Sequence, residues 1–341
     1  MVEKKFPDDF YTYDSEGLKK DIDNAHSYIK ESYNQDYRNI VGDVNTDVID
    51  NVFFCGMGGS AISGMLLSDY LEESDLRFES VRGYDLPPYV TKDDLVVITS
   101  YSGNTEETLS CYRQARRIGC QILLLSSGGR VEESAEKSRL PYIKLKKGLQ
   151  PRASLPIMFF TKLRAFEQMG LIPTKTSEVQ SLVDYLRQKK LEKMGLKLVD
   201  KLVGKTPIIY ASEKNYSIAY RWKTQFNENV KKKAFSNRIP EMNHNEILGF
   251  TEDNEDYHVI ILSFDNDKSR MKKRIGINKE LINKRGVEVT ELDIKGEQLK
   301  SMFTAILVGD YASYFLALKE EKDPSPVDMI EDLKEEMGPF I

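Results

Sequence analysis

The sequence predicts an α/β fold of two doubly wound lobes, each a mainly parallel sheet covered by helices. Three observations carry that reading. From residue 51 short apolar, β-branched runs alternate with helical patterns, and alternation of this kind builds a parallel sheet covered on both faces. The length, 341 residues, exceeds what one hydrophobic core usually spans, so two domains are expected. The second half repeats the strand–helix scheme, less clearly than the first.

Residues 14–33 are polar with scattered apolar positions and read as a helix outside the first sheet, and 43–50 as the approach to it. Strands are expected at 52–55, 78–82, 95–99, 121–125 and 141–145, with helices at 61–71, 105–118 and 131–139. An apolar helix at 155–168 follows, and the polar run 172–190 joins the halves. Beyond it, 207–210, 258–264 and 286–293 read as strands and 216–230 and 271–284 as helices, with the long apolar helix 299–318 covering the second sheet. A last helix is signalled by Ser325 as N-cap, Pro326 at N1 and Asp328 at N3. The expected organisation is an N-terminal lobe over 1–170, a linker over 171–190 and a C-terminal lobe over 191–341.

Net charge is −5, from 49 basic against 54 acidic residues spread along the chain, so no nucleic-acid footprint is expected. No apolar run is read as approaching the ~20 residues of a membrane span. A soluble, cytoplasmic protein is the expectation. Cys55, Cys111 and Cys120 are odd in number and lie in or beside apolar elements, which favours buried thiols over a disulfide frame. Neither metal-ligand spacing nor a C-x-x-C pair occurs.

Two turns carry the chemistry of the first half. Strand 95–99 breaks into Ser100-Tyr101-Ser102-Gly103-Asn104-Thr105, and strand 52–55 into Gly56-Met57-Gly58-Gly59-Ser60, each leading into a helix. Such a turn leaves free N–H groups at the positive end of a helix dipole, which suits a phosphate, and the hydroxyls add neutral donors. For a lone turn of this kind, helix capping is the blander reading. In a parallel sheet, however, both turns open on the edge where ligands bind, so two phosphate-shaped loops face one pocket.

Together these loops resemble a sugar isomerase (SIS) domain, the phosphosugar-binding relative of the doubly wound fold. Pro151-Arg152-Ala153, Asn227-Glu228-Asn229 and Asn243-His244-Asn245-Glu246 stand in the order and spacing of the bifunctional phosphoglucose/phosphomannose isomerases, so five motifs agree along nearly the whole chain. The resemblance implies a metal-independent isomerase with no cofactor, interconverting glucose 6-phosphate and mannose 6-phosphate with fructose 6-phosphate through ring opening and a cis-enediolate. It implies phosphate contacts from Gly58, Gly59, Ser60, Ser100, Ser102 and Thr105. It further implies a homodimer in which His244 reaches the neighbouring site. The second lobe is inferred to be SIS-like, to have lost phosphate binding, since Ala211-Ser212-Glu213-Lys214 follows its first strand, and to contribute catalytic groups.

Each catalytic task calls for a residue type. A carboxylate suits the proton shuttle between C2 and C1, and the resemblance assigns it to Glu228. On helix 216–230 the apolar stripe is Ala219, Trp222, Phe226 and Val230, which leaves Glu228 on the opposite, solvated face. His244 lies in a polar stretch with no apolar face to bury it; an imidazole there suits ring opening, and a surface histidine fits the same pattern. Arg152, at a helix start, reads either as an oxyanion stabiliser or as an ordinary surface arginine. Lys334 falls in the stripe Val327, Ile330, Lys334, Met337 and is expected on the buried face of the last helix, where a snorkelling stem is the structural alternative. The resemblance gives a lysine at that place a part in ring opening. His26 reads as a surface residue and His258, opening an apolar strand, as structural. Between 237 and 246 only Ile239 and Met242 are apolar, too little for a core of their own, which agrees with a partner subunit.

Two rival classes fit less well. Gly56-Met57-Gly58-Gly59-Ser60-Ala61 also matches a dinucleotide fingerprint, but strand 78–82 ends in Arg82 instead of an acidic residue, and the second loop would be unexplained. A sugar-phosphate sensor would have no need of Glu228 and His244 together, and no helix-turn-helix segment precedes the first lobe. A metal-dependent mannose-phosphate isomerase is disfavoured by the lack of a close His/His or His/Glu cluster.

Overall fold

The computed structural model describes residues 8–188, 190–251, 256–338 and 340. They fall into two compact units, one Asn24–Asp184, the other Tyr185–Ile341 together with the chain up to Asp23.

The first unit is built on β1 (Asn51–Cys55), β2 (Arg77–Val81), β3 (Leu95–Thr99), β4 (Gln121–Ser126) and β5 (Tyr142–Lys144), in the order β2-β1-β3-β4-β5 with all neighbours parallel. β3 is buried at every position, as an apolar run covered on both faces must be. Helices Gly58–Tyr70 and Leu155–Gln168 pack together, and between them Phe54 stacks on Phe166 with ring centroids 5.8 Å apart. Because strand order reverses between β1 and β3, the turns leaving those two strands bracket the switch point of the sheet.

The second unit is built on β6 (Thr206–Ser212), β7 (Phe235–Ile239), β8 (Tyr257–Phe264) and β9 (Glu288–Ile294), in the order β7-β6-β8-β9, again all parallel. The order matches that of the first four strands of the first unit. Sequence reading finds no strand at β7, because Phe-Ser-Asn-Arg-Ile neither alternates nor forms an apolar run; it is an edge strand, half open to solvent. Helix Tyr216–Val230 lies on β6 and buries Ala219, Trp222, Phe226 and Val230, the stripe its periodicity predicts. His258 is buried at the start of β8.

Several expectations need correction. The helix expected over 14–33 divides at Asn24: Ala25–Tyr33 packs on Leu155–Gln168, whereas Leu18–Asp23, whose first N–H groups are capped by the Asp14 carboxylate, packs on Gln298–Lys319 in the second unit. Tyr311 donates to Asp23 at 2.8 Å and Tyr314 to Asp14 at 3.0 Å, which fixes that segment. Gln298–Lys319, at 22 residues, is long and apolar enough by composition to cross a membrane, contrary to the first reading, but its apolar stretch is buried within the second unit. There its Asp310 pairs with Arg221. The run 172–190 contains helix Thr176–Leu186, with Val179, Leu182 and Val183 buried. The last helix begins at Asp328 with Val327 as its cap, while Ser325 is buried ahead of it.

Candidate functional site

In the first unit the Gly56–Ser60 and Ser100–Thr105 turns leave adjacent strands, Cys55 lying level with Ile98. They are bonded to each other: the Tyr101 N–H donates to Ser60 Oγ at 3.1 Å. Ser100 Oγ accepts from the N–H groups of Gly103 at 3.1 Å and Thr105 at 3.5 Å, and lies 2.9 Å from Thr105 Oγ1. Ser102 Oγ, on the exposed crest, accepts from the Asn104 N–H at 3.3 Å. A hydroxyl that accepts from a backbone N–H keeps its own proton to donate, so Ser60 and Ser102 are arranged as donors. Thr105 occupies the cap position of helix Glu106–Ile118 but makes no side-chain cap bond; its hydroxyl is turned to Ser100 instead. The capping reading therefore fails for Thr105.

Two backbone approaches complete this edge. A methyl on Gly59 would stand 2.7 Å from the Pro151 carbonyl oxygen, so the glycine lets the turn carrying Arg152 rest against the start of helix Gly58–Tyr70. Arg152 is 3 % exposed and is no surface arginine, and its backbone N lies 3.4 Å from where a Gly59 methyl would stand. Gly103, at φ +78°, sits where a methyl would lie 1.7 Å from the Gly128 oxygen. It seats the second turn on a third, Ser126-Ser127-Gly128-Gly129, whose Ser127 Oγ donates to Tyr101 O at 2.7 Å. Sequence reasoning missed this third turn, although Ser-Ser-Gly-Gly after an apolar strand is the same signal as the other two.

The second unit holds Glu228, His244 and Lys334. Glu228 is half-buried near the end of helix Tyr216–Val230. Its neighbours lock that end: Asn229 donates to Ser313 Oγ at 2.9 Å and Asn227 to Lys232 O at 2.9 Å. Lys231, at φ +56°, folds back to donate to the Glu228 carbonyl at 2.6 Å and to Pro326 O at 2.6 Å. His244 is exposed at the end of a short 3-10 turn, Glu241–His244, and the residues beside it are the anchored ones. Asn243 donates to Asn278 Oδ1 at 2.5 Å, Asn245 to Glu241 Oε1 at 2.8 Å, and Glu246 accepts from Tyr210 at 2.6 Å and Asn237 at 2.5 Å. Burial first, and then that carboxylate, raises the Tyr210 pKa. Glu246 also lines a cleft of ≈ 510 Å³ with Tyr216, Tyr220, Phe235, Phe250 and Tyr257.

Two sequence arguments fail here. Lys334 is not on a buried face: every described residue of helix Asp328–Met337 is exposed, Met329 at 86 % and Leu333 at 61 %, so the apolar stripe meets no core of this lobe. Ile239 and Met242 are fully buried in the core with Tyr210, Phe250 and Val259, so the segment carrying His244 has a core of its own lobe and needs no partner to cover them. The lack of periodicity hid this, since a turn buries residues by shape and not by repeat.

A profile of the bacterial phospho-glucose isomerase C-terminal SIS domain matches residues 192–337. A bifunctional phosphoglucose/phosphomannose isomerase of Caldicellulosiruptor bescii is 38 % identical over 320 residues, 88 % of this chain and 93 % of that protein. One of Aquifex aeolicus is 33 % identical over 326 residues, 93 % of this chain and 99 % of the relative. A D-glucosamine-6-phosphate 4-epimerase of Sulfolobus acidocaldarius is 33 % identical over 229 residues, 66 % of this chain and 72 % of the relative. Among solved structures, a glucosamine-6-phosphate deaminase of Thermotoga maritima has a similar fold, with a TM-score of 0.69 at 16 % identity over 90 % of this chain and 96 % of the other.

Proposed function

The chain belongs to the bifunctional phosphoglucose/phosphomannose isomerases and is an aldose–ketose isomerase of sugar phosphates, and on that premise we propose how its residues divide the reaction. Gly58, Gly59, Ser60, Ser100, Ser102 and Thr105 hold the 6-phosphate. His244 and Lys334 serve ring opening, one proton reaching the ring oxygen as another leaves the anomeric hydroxyl. Glu228 removes the C2 proton and returns it to C1, while Arg152 stabilises the enediolate oxygens. Rotation about C2–C3 in the open-chain intermediate presents either face of C2 to the same base, which is how glucose and mannose phosphates share one site. The reaction needs no metal or cofactor in this scheme. The active form is a two-fold dimer in which His244 completes the neighbouring site; Leu248, 70 % exposed four residues from His244, and Phe235, 49 % exposed on edge strand β7, supply apolar surface for it.

The observation that carries this reading is the switch point of the first lobe, where two Gly/Ser/Thr turns are bonded side by side and the backbone of Pro151 and the buried Arg152 rests against one of them. A coupled assay with glucose, mannose and fructose 6-phosphates, with and without chelator, tests it: all three should interconvert, unchanged by chelator. In the Ser102→Ala, Thr105→Ala double variant KM should rise at least tenfold, since charge-assisted bonds contribute about 1.5–3 kcal/mol each. The 4-epimerase relative motivates one more arm: inversion of glucosamine 6-phosphate at C4 in place of aldose–ketose exchange would overturn the assignment of Glu228.

A further inference from the structure

Lys162 is 0 % exposed on helix Leu155–Gln168, a helix whose other buried positions are almost all apolar. Its Nζ donates to Ser63 Oγ and lies 5.7 Å from the Phe54 ring centroid. Ser63 Oγ in turn donates to the Ser60 carbonyl at 2.6 Å, and Ser60 Oγ accepts from Tyr101 at the head of the second turn. Hydrogen bonds thus link a buried amine to the Ser60 carbonyl of the first turn assigned to the phosphate, and Ser60 joins that turn to the second through its own hydroxyl, one helical turn ahead of Ser63. The titratable groups on the elements packed around it are occupied elsewhere. Tyr33 and Arg164 bond to Glu167, Tyr70 to Glu178, and Tyr37 to Ser32 O.

We propose that Lys162 is a positioning residue of the phosphate site: when charged, it fixes Ser63 and the Ser60 end of the first turn and sets a buried positive charge behind the helix N-terminus that receives the phosphate. The inference rests on the phosphate reading above and extends it to a residue that never touches substrate. A lysine in this apolar setting gives up its proton readily; burial alone lowers its pKa from 10.5 to about 7. Linkage is reciprocal, so a phosphate that favours the ammonium must raise that pKa, and the ammonium must tighten phosphate binding by the same factor. A rise of about one unit corresponds to about tenfold in affinity.

The test uses the full-length protein and inorganic phosphate as probe. Calorimetric titration at pH 6.5 should show Lys162→Met binding phosphate about tenfold more weakly than the wild type. For fructose 6-phosphate, KM should rise by a similar factor with kcat nearly unchanged. The wild-type protein alone, with lysine 13Cε resonances followed over pH 5–11, should show the Lys162 midpoint moving upward on addition of phosphate, a measurement that needs no variant to fold. Equal phosphate affinity in Lys162→Met, or a midpoint that phosphate does not move, overturns the proposal and leaves the phosphate site standing. Wild-type protein that binds no phosphate, or a Ser102→Ala, Thr105→Ala variant that binds it as well as wild type, overturns the site and the proposal together.

Discussion

The two sheets share the strand order 2-1-3-4 and differ at the point where that order reverses. In the first, the turns after β1 and β3 are glycine-rich and bonded to each other through Ser60 and Tyr101, with Ser102 Oγ on the exposed crest. In the second, the matching turns after β6 and β8 are closed on themselves. Ser212 donates to Asp267 at 2.5 Å, Asn215 donates to Ser212, Asn266 and Asp267, and the Phe264 N–H donates to the other Asp267 oxygen at 2.8 Å. Ser212, Asn215 and Asp267 are all buried. Asp267 stands three residues past β8, as Ser102 stands three past β3, and a carboxylate there repels an anion and consumes the donors. The same topology therefore leaves the turns at its switch point open or fills them according to a few turn residues, and in the proposed scheme the filled lobe offers its helix ends and outer turns to chemistry.

The sharpest way to break this division of labour is at Glu228. Glu228→Gln should fold normally, keep the wild-type affinity for inorganic phosphate, and lose exchange of the C2 proton with solvent by about 10²–10⁴-fold, the range for a general base. Exchange followed by NMR in deuterated water decides it. A variant that still exchanges at the wild-type rate places the base elsewhere, and one that also loses phosphate would mean that the lobes are not functionally separable.

Next in size is the joint that holds the helix of Glu228. Arg221 and Asp310 are both nearly inaccessible and bond at 3.0 and 2.9 Å; burial pushes the Asp310 pKa up, and Arg221 pulls it back. Asp310→Ala removes the carboxylate from a buried guanidinium and should cost about 3–5 kcal/mol. Urea unfolding followed by hydrogen exchange should show the loss in the second lobe, and equal loss in β1–β5 would show one cooperative unit.

How much of this was legible beforehand follows the same physics. Alternating strands, the stripe of Tyr216–Val230 and the two Gly/Ser/Thr turns were readable because each is a local pattern. Five motifs in order then named the family. Lys162 gave no signal, since one lysine in a largely apolar helix reads as a snorkelling surface residue, and its meaning lies in Ser63, 99 positions away. Lys334 misled for the converse reason: a stripe promises an apolar face, not a surface to cover it. Asp267 was silent because its partners come from separate strands.

Asp267→Ala should cost about 1–3 kcal/mol, the price of leaving buried donors such as the Phe264 N–H unmet. It should not create a second phosphate site, because the turn after β6 still lacks glycine. Phosphate titration should keep a stoichiometry of one per chain; a second equivalent would mean that the carboxylate alone separates the lobes.

The smallest effect is a difference in how the two lobes respond to acid, set by buried Lys162 in the first and buried His258 in the second. His258 is 1 % exposed, with Nε2 2.9 Å from Thr290 Oγ1 and Nδ1 3.8 Å from the Glu288 carboxylate. Burial lowers its pKa below 6.5, Glu288 partly opposing and Lys201 and Lys205 assisting. Above 6.5 the folded and unfolded states are both neutral and nothing is lost. As pH falls through 6.5 the unfolded chain takes up the proton first, so the unfolded state binds more protons and stability falls with pH. For Lys162 the same sign applies over a higher window: its loss begins as pH drops below 10.5 and is complete near 7. Between pH 6.5 and 5, then, the first lobe has already lost what Lys162 can cost it, and only the second is still weakening through its buried base. In His258→Gln, hydrogen exchange of β6 and β8 at pH 7.5 should be close to the variant's own value at pH 5, whereas in the wild type those strands should exchange faster at pH 5 after correction for intrinsic rates. Identical pH dependence in the two proteins would show that the imidazole is solvated in the fold, and the contrast between the lobes would then rest on Lys162 alone.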